Sequence, residues 1–229
     1  IQMLDGNYVA VKDGFAWTLL PFVKGGFLGS DEDSLRSLGE ALARMHAIPH
    51  AECFPLDYRM GFVLFEEVIA LSTRMGVGSP FRRLLSDEAN HLRSIVSDVL
   101  PTGVLHGDLF PDNVIGESGR VCAILDLEEA WIGPMCFDIA MAFVGFGWEE
   151  NRPISSRWNS LIQGYQSVRS LTDEEWGVMS EMHRYATLAI ACWRFWKHNL
   201  KEPEERLSRR YLEMIDRLEV EFDFSEASL

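Results

Sequence analysis

Apolar and polar positions change period along the chain, and the changes mark its elements. Tyr8–Val11 and Phe15–Leu20 are short runs of β-branched and aromatic residues on either side of Lys12-Asp13-Gly14, which predicts two strands joined by a hairpin turn. From residue 30 the period becomes helical. Ser30-Asp-Glu-Asp33 has the composition of a helix start, with Ser30 as the cap and acids over the first turn. Leu35, Leu38, Leu42 and Met45 then form a stripe at helical spacing, with Gly39 allowing a close neighbour and His46, in a core or capping role, ending the helix. Residues 47–60, with Pro49 and Pro55, read as a loop. Residues 61–76 and 80–100 read as helices separated by Gly76-Val-Gly-Ser-Pro80. Gly103–Leu105, Val114–Ile115 and Val121–Leu125 are strand-like, and Gly116-Glu-Ser-Gly119 reads as a hairpin turn between the last pair. Cys136–Phe146 is nearly all apolar and predicts a helix at the centre of a core. Asn159–Val168, Asp173–Lys197 and Glu204–Val220 predict further helices. The fold class is therefore α+β, with helices in the majority and no internal repeat.

Composition narrows the partners. The chain has 229 residues, 47% of them hydrophobic, enough for one large domain or two modest ones. Its formal net charge of −14 argues against nucleic acid and against an anionic membrane surface, both of which demand a basic face. It does not argue against a nucleotide, which is held by local amides, lysine and metal. Cys53, Cys122, Cys136 and Cys192 are widely spaced without a CxxC pair, and three of them lie in apolar stretches. That pattern suits reduced core thiols in a cytoplasmic protein rather than disulfides or zinc. The longest uncharged apolar run, Ile139–Trp148, is too short to span a bilayer. The oligomeric state is not legible.

Candidate chemistry is concentrated in Val104-Leu-His-Gly-Asp-Leu-Phe-Pro-Asp-Asn-Val-Ile115, followed by Val121-Cys-Ala-Ile-Leu-Asp-Leu127. An apolar strand leads into a loop carrying Asp108 and Asn113, and Asp126 follows a second strand. Phosphoryl transfer asks little covalent help of a protein. It needs an acceptor oxygen in line and the phosphate charge neutralised. Asp108 can accept the hydrogen bond of a substrate hydroxyl and take its proton, while Asn113 and Asp126 offer oxygens to magnesium. Both can reach one metal if the strands beside them pair. The spacing Asp-x-x-x-x-Asn equals that of the protein-kinase catalytic loop, with His-Gly-Asp in place of His-Arg-Asp.

On these residues the chain resembles the aminoglycoside phosphotransferase and choline kinase superfamily, which has a protein-kinase-like fold. Within it, His106-Gly-Asp-Leu-Phe-Pro-Asp-Asn-Val114 is most similar to homoserine kinase of the kinase-like type. Phe137-Asp-Ile-Ala-Met-Ala-Phe143 and Trp193-Arg-Phe-Trp196 with Lys201-Glu-Pro203 resemble later family segments, so the likeness runs from about Tyr8 to the last helix. It implies ATP and magnesium as cofactors, Asp108 as catalytic base, and Asn113 and Asp126 as metal ligands. It also implies His106 and Asp138 as supports of the catalytic loop. Pro21-Phe22-Val23 would be the hinge whose backbone binds adenine. Residues 1–24 would then be the end of the small lobe with the hinge, and 25–229 the large lobe. Asp126-Leu-Glu128 replaces the Asp-Phe-Gly of protein kinases, so no activation-loop switch is implied, and Glu128 and Glu129 can serve metal or substrate or simply be solvated.

A Gly-rich phosphate loop, a phosphate-binding lysine and its helical Glu partner are not found. Val9-Ala-Val-Lys12 imitates the lysine motif, but a tight turn follows where the motif needs a helix, and Lys12 reads as a solvated turn residue. Residues 1–229 alone are therefore expected to have weak kinase activity or none. The acceptor pocket is expected between Asp108 and the late helix carrying Tyr185, Trp193, Arg194, Trp196 and His198. Arg194 could grip a carboxylate, as L-homoserine requires, or tryptophans could cage a quaternary ammonium such as choline. Ethanolamine, amino sugars, aminoglycosides and a non-catalytic, pseudokinase-like module are the alternatives.

Overall fold

Residues 135–146 are apolar on every face but for Asp138, and the structure surrounds them. The computed structural model describes residues 1–49, 53–76, 79–96 and 99–225. Parts of the expected 47–60 loop, the 76–80 break and the 80–100 helix fall on residues 50–52, 77–78 and 97–98, outside the described ones. In chain order the elements are β1 (Ala10–Lys12), β2 (Phe15–Trp17), β3 (Gly26–Phe27), α1 (Glu32–His46), α2 (Phe62–Arg74), α3 (Pro80–Arg93) and β4 (Thr102–Leu105). There follow β5 (Val114–Glu117), β6 (Arg120–Ile124), β7 (Trp131–Pro134), α4 (Met135–Phe146), β8 (Trp148–Glu149) and β9 (Arg152–Pro153). The chain ends with α5 (Ser155–Gln166), α6 (Asp173–Gly177), α7 (Met179–Phe195) and α8 (Leu212–Leu218). No helix is long and apolar enough to cross a membrane among the described residues.

The sheets are small and antiparallel. β5 and β6 form the expected hairpin, whose tip residues Ser118 (φ 51°) and Gly119 (φ 74°) are both left-handed, as a two-residue turn between twisted strands requires. β3 adds to β5 through Gly26↔Gly116 and Phe27↔Ile115, and β4 pairs with β7 from Thr102↔Pro134 to Leu105↔Trp131. Neither pairing follows from the local pattern, because a two-residue strand and a glycine-rich one carry no period. Lys12 is the exposed last residue of β1 rather than part of the turn.

Several boundaries move for identifiable reasons. Asp31, not Ser30, caps α1: its carboxylate accepts from Ser34 N at 3.0 Å and Ser34 Oγ at 2.7 Å, which holds its pKa low. The long helix expected over 173–197 breaks after Gly177, where Val178 (φ −115°, ψ 7°) leaves the helical path, and α7 runs on into a π-helical stretch, Trp196–Lys201. Of the helix expected over 204–220 only 212–218 is regular. Asn199 Nδ2 takes the carbonyl of Ser208 at 2.9 Å and Arg194 Nη1 that of Arg210 at 3.2 Å, so side chains intercept acceptors the helix would use. Cys53 and Cys122 are exposed, not core thiols. Cys122 alternates outward between half-buried Val121 and Ala123 on β6, whereas Cys136 and Cys192 are buried and burial pushes the Cys136 thiol up to about 12.

α1 packs on α4 and α5, and α7 on the opposite flank of α4. The α1–α5 contact runs backbone to backbone at Gly39 and Gly164. A Cβ on Gly39 would collide with the Leu161 carbonyl and lie 2.6 Å from Tyr165 N. Gly39→Ala is therefore expected to destabilise by about 1–3 kcal/mol, the strain outweighing the helix-propensity gain of about 1 kcal/mol. Urea unfolding tests this, and a neutral or stabilised variant would contradict the close approach.

Candidate active site

The site begins where β4 runs out at His106. The His106 ring is buried, its Nε2 donating to Leu125 O at 2.6 Å while Nδ1 accepts from Asp108 N at 3.2 Å. An N–H pointing at Nδ1 requires the neutral Nε2–H tautomer. The ring thus ties the loop to the end of β6. Gly107 next to it is left-handed (φ 82°), and a Cβ there would stand 2.7 Å from Glu129 O. Tyr58 donates to Gly107 O at 2.5 Å from beneath, stacked on Trp131 at 5.3 Å.

Asp138, in the first turn of α4, lies under this bend and is fully buried. Its carboxylate accepts from His106 N at 2.6 Å and Gly107 N at 2.9 Å. Behind it runs a buried chain of donors. Arg169 Nη1 donates to Tyr165 OH at 3.2 Å, Tyr165 OH to His46 Nδ1 at 2.8 Å, and His46 Nε2 to Asp138 at 3.4 Å. Arg169 is in turn held in two bonds of 3.0 and 2.9 Å by Glu175, a buried acid that closes the capping box of α6 with Thr172. Arg169 thus serves both Glu175 and Tyr165, and from Tyr165 onward the polarity points toward the Asp138 charge. Sequence reasoning missed Tyr58, Tyr165 and Arg169. The one signal available was Thr172-Asp-Glu-Glu175, a capping-box pattern.

Asp108 emerges from this pedestal. Burial raises its pKa from 3.8 to about 6, with the like charges of Asp112 and Glu129 adding to the rise and the Asn113 amide opposing it. Asn113 Nδ2 donates to Asp108 O at 2.8 Å and to Asp108 Oδ2 at 3.2 Å. With its nitrogen so engaged, the amide leaves its oxygen free. Leu125 N donates to Asn113 O at 2.8 Å, so the hairpin register brings Asp126 to the end of the hairpin where Asn113 lies. Asp126 is left-handed (φ 61°, ψ 72°) and its carboxylate is exposed. One neutral and one charged oxygen suit magnesium, which takes few protein ligands beside phosphates and water. Among the described residues no group of three or more His, Cys, Asp or Glu side chains forms a fuller cage.

A cavity of about 420 Å³ opens in front of Asp108 and Asp126 and reaches α7. Ile190, Trp193 and Arg194 line its far wall, one helical face of α7, while Tyr185, Trp196 and His198 do not line it. Trp196 donates to Glu67 at 3.2 Å instead, and Lys201 Nζ sits 4.4 Å from its ring centre. Arg194 is 9% exposed and gives Nη1 to Glu213 at 2.8 Å. Arg59 and Met60, from a stretch without periodic signal, complete the wall near Glu129, which Arg59 grips by both carboxylate oxygens. Glu128 lines the cavity and is exposed. Pro21 and Phe22 are exposed and Val23 half-buried, just before β3.

Residues 2–171 match the phosphotransferase enzyme family. Homoserine kinase of Rhizobium johnstonii is 27% identical over 192 residues, which are 80% of this chain and 59% of that one. Homoserine kinase of Rhodopseudomonas palustris is 29% identical over 156 residues, 66% of this chain and 47% of the relative. The chain therefore spans less than two thirds of the length of these relatives. Among solved structures, Plasmodium vivax ethanolamine kinase superposes with a TM-score of 0.67 at 13% identity, covering 90% of this chain and 65% of that one. The amicoumacin kinase hAmiN, solved with AMP-PNP and Ca²⁺, gives 0.67 at 14%, covering 94% and 69%. Likeness at that identity concerns the fold, which is protein-kinase-like. With most of its length matched, this chain belongs to the phosphotransferase enzyme family.

Proposed function

We propose that this chain carries the catalytic and acceptor-binding lobe of a kinase that moves the γ-phosphoryl group of ATP onto the side-chain hydroxyl of L-homoserine. The observation that carries the reading is Asp108 on its buried pedestal, opening onto a small cavity whose far wall presents Arg194. Residues 25–229 are read as the large lobe and 1–24 as the end of the small lobe, with the backbone of Pro21, Phe22 and Val23 available to adenine.

Asp108 accepts the hydrogen bond of the acceptor hydroxyl and orients its lone pair at the γ-phosphorus. As the oxygen–phosphorus bond forms and the bond to the β-phosphate oxygen breaks, the hydroxyl proton passes to Asp108 and ADP leaves. A carboxyl with a pKa of about 6 is ionised at neutral pH yet basic enough to take a proton. Asn113 and Asp126 would hold magnesium, which supplies charge neutralisation on the phosphates. Arg194 contacts the acceptor carboxylate. Support for homoserine over choline comes from this largely buried guanidinium beside Trp193 and from the homoserine kinases among the sequence relatives.

The test is magnesium-dependent ADP release by the full-length gene product with L-homoserine, choline and an aminoglycoside in parallel. Homoserine-dependent release is expected, reduced at least about 100-fold by Asp126→Ala. Release with choline or the aminoglycoside but not with homoserine would refute the acceptor. Robust turnover by residues 1–229 alone would refute the expectation that this chain by itself has weak activity or none.

A further inference from the structure

Charge is distributed unevenly around the cavity. At the loop end stand Asp108, Asp112, Asp126, Glu128 and Glu129, with Arg59 already spent on Glu129. At the α7 end stand Arg194 and Arg210. Glu213 is shared there between Arg194 at 2.8 Å and Arg217 at 2.7 Å, so one carboxylate serves two guanidiniums. Arg210 has no acidic partner among the described residues. Arg194 and Arg210 thus make this end of the cavity a cationic corner in a chain of net charge −14.

The donors in that corner are incompletely used. Arg194 has five N–H donors, and its bonds to Glu213 and to Arg210 O at 3.2 Å both come from Nη1. Its Nε and Nη2 have no partner among the described residues, though the residue is only 9% exposed. That edge is the one that forks onto a carboxylate. Because the Arg210 carbonyl is itself an acceptor of Arg194, the backbone of residue 210 is tied to this guanidinium, and its own side chain flanks the same end of the cavity.

We infer that Arg210, together with the Nε/Nη2 edge of Arg194, forms a carboxylate subsite that restricts the acceptor to amino acids bearing a side-chain hydroxyl. The inference rests on the proposed kinase reaction and goes beyond it by naming what selects the acceptor. An amino-acid alcohol places its hydroxyl and ammonium toward the acids of the loop end and its carboxylate in the arginine corner. Amino alcohols without a carboxylate leave the Nε/Nη2 edge of Arg194 and the Arg210 side chain without their anion, and a site built to bond a missing group discriminates against the molecule.

The experiment compares L-homoserine with 3-amino-1-propanol, its analogue lacking the carboxylate, using the full-length gene product and the variants Arg210→Gln and Arg210→Lys. Binding of both compounds to the present chain is followed by calorimetry. Arg210→Gln is expected to raise the KM and Kd for homoserine roughly 10- to 100-fold, as loss of a charge-assisted hydrogen bond implies, with kcat nearly kept. The KM for ATP and the kcat/KM for the analogue should not change, and Arg210→Lys should recover part of the homoserine affinity. Wild-type turnover of homoserine with an indifferent Arg210→Gln variant, or equal losses on both compounds, would overturn the subsite alone. Wild-type turnover of the analogue but not of homoserine would overturn the homoserine reading as well.

Discussion

Asp108→Asn is expected to abolish phosphoryl transfer while making the folded chain more stable at neutral pH. The loss of activity, on the order of 10³-fold or more, follows from removing the carboxylate proposed to take the hydroxyl proton. The gain in stability follows from the same burial. Asp108 titrates near 6 when folded and near 3.8 when unfolded, so the folded state holds the proton more tightly. Ionising it therefore costs the folded state nothing below about 3.8, and the full penalty is present above about 6. Roughly two pKa units correspond to about 3 kcal/mol, reduced to about 1–2 kcal/mol by the solvent that still reaches the carboxylate. Asn is nearly isosteric and neutral, and its amide oxygen can still accept from Asn113 Nδ2. Urea unfolding without divalent cations should show the variant more stable at pH 7.5 and level with the parent at pH 4. An equal gain at both pH values would mean that the effect is not ionisation.

Asp138→Ala should have the largest effect on stability, a loss of about 3–5 kcal/mol. Two buried backbone donors, His106 N and Gly107 N, would lose their acceptor, and His46 Nε2 a third bond, in a place water does not reach. For a domain of this size that loss lowers Tm by on the order of 10 °C, measurable by calorimetry. Tyr165→Phe, two links back from Asp138, removes a single hydroxyl and should cost about 1 kcal/mol. An Asp138→Ala protein within about 1 kcal/mol of the parent would show that the pedestal does not depend on this carboxylate.

The sequence by itself determined the parts whose physics is local. The spacing of Asp108 and Asn113 is covalent, the Ser118-Gly119 turn follows from residues that tolerate left-handed backbone, and the Leu35, Leu38, Leu42 stripe follows from helical period. Gly39 was legible as a place of close approach, because a glycine inside a strong helix needs a packing reason. Tertiary structure alone decided the rest. His46 and Tyr165 meet across 119 residues, and His46 and Asp138 across 92, so neither bond leaves a trace in any window of sequence. β3 and β7 are strands only because β5 and β4 offer them unpaired edges. The run after residue 203 is helix-forming in composition, yet Asn199 and Arg194 take its carbonyls and hold it as turns. Arg194 shows the division most clearly. Its residue type suggested a grip on a carboxylate, but only the fold shows Glu213 and Arg210 O sharing its Nη1.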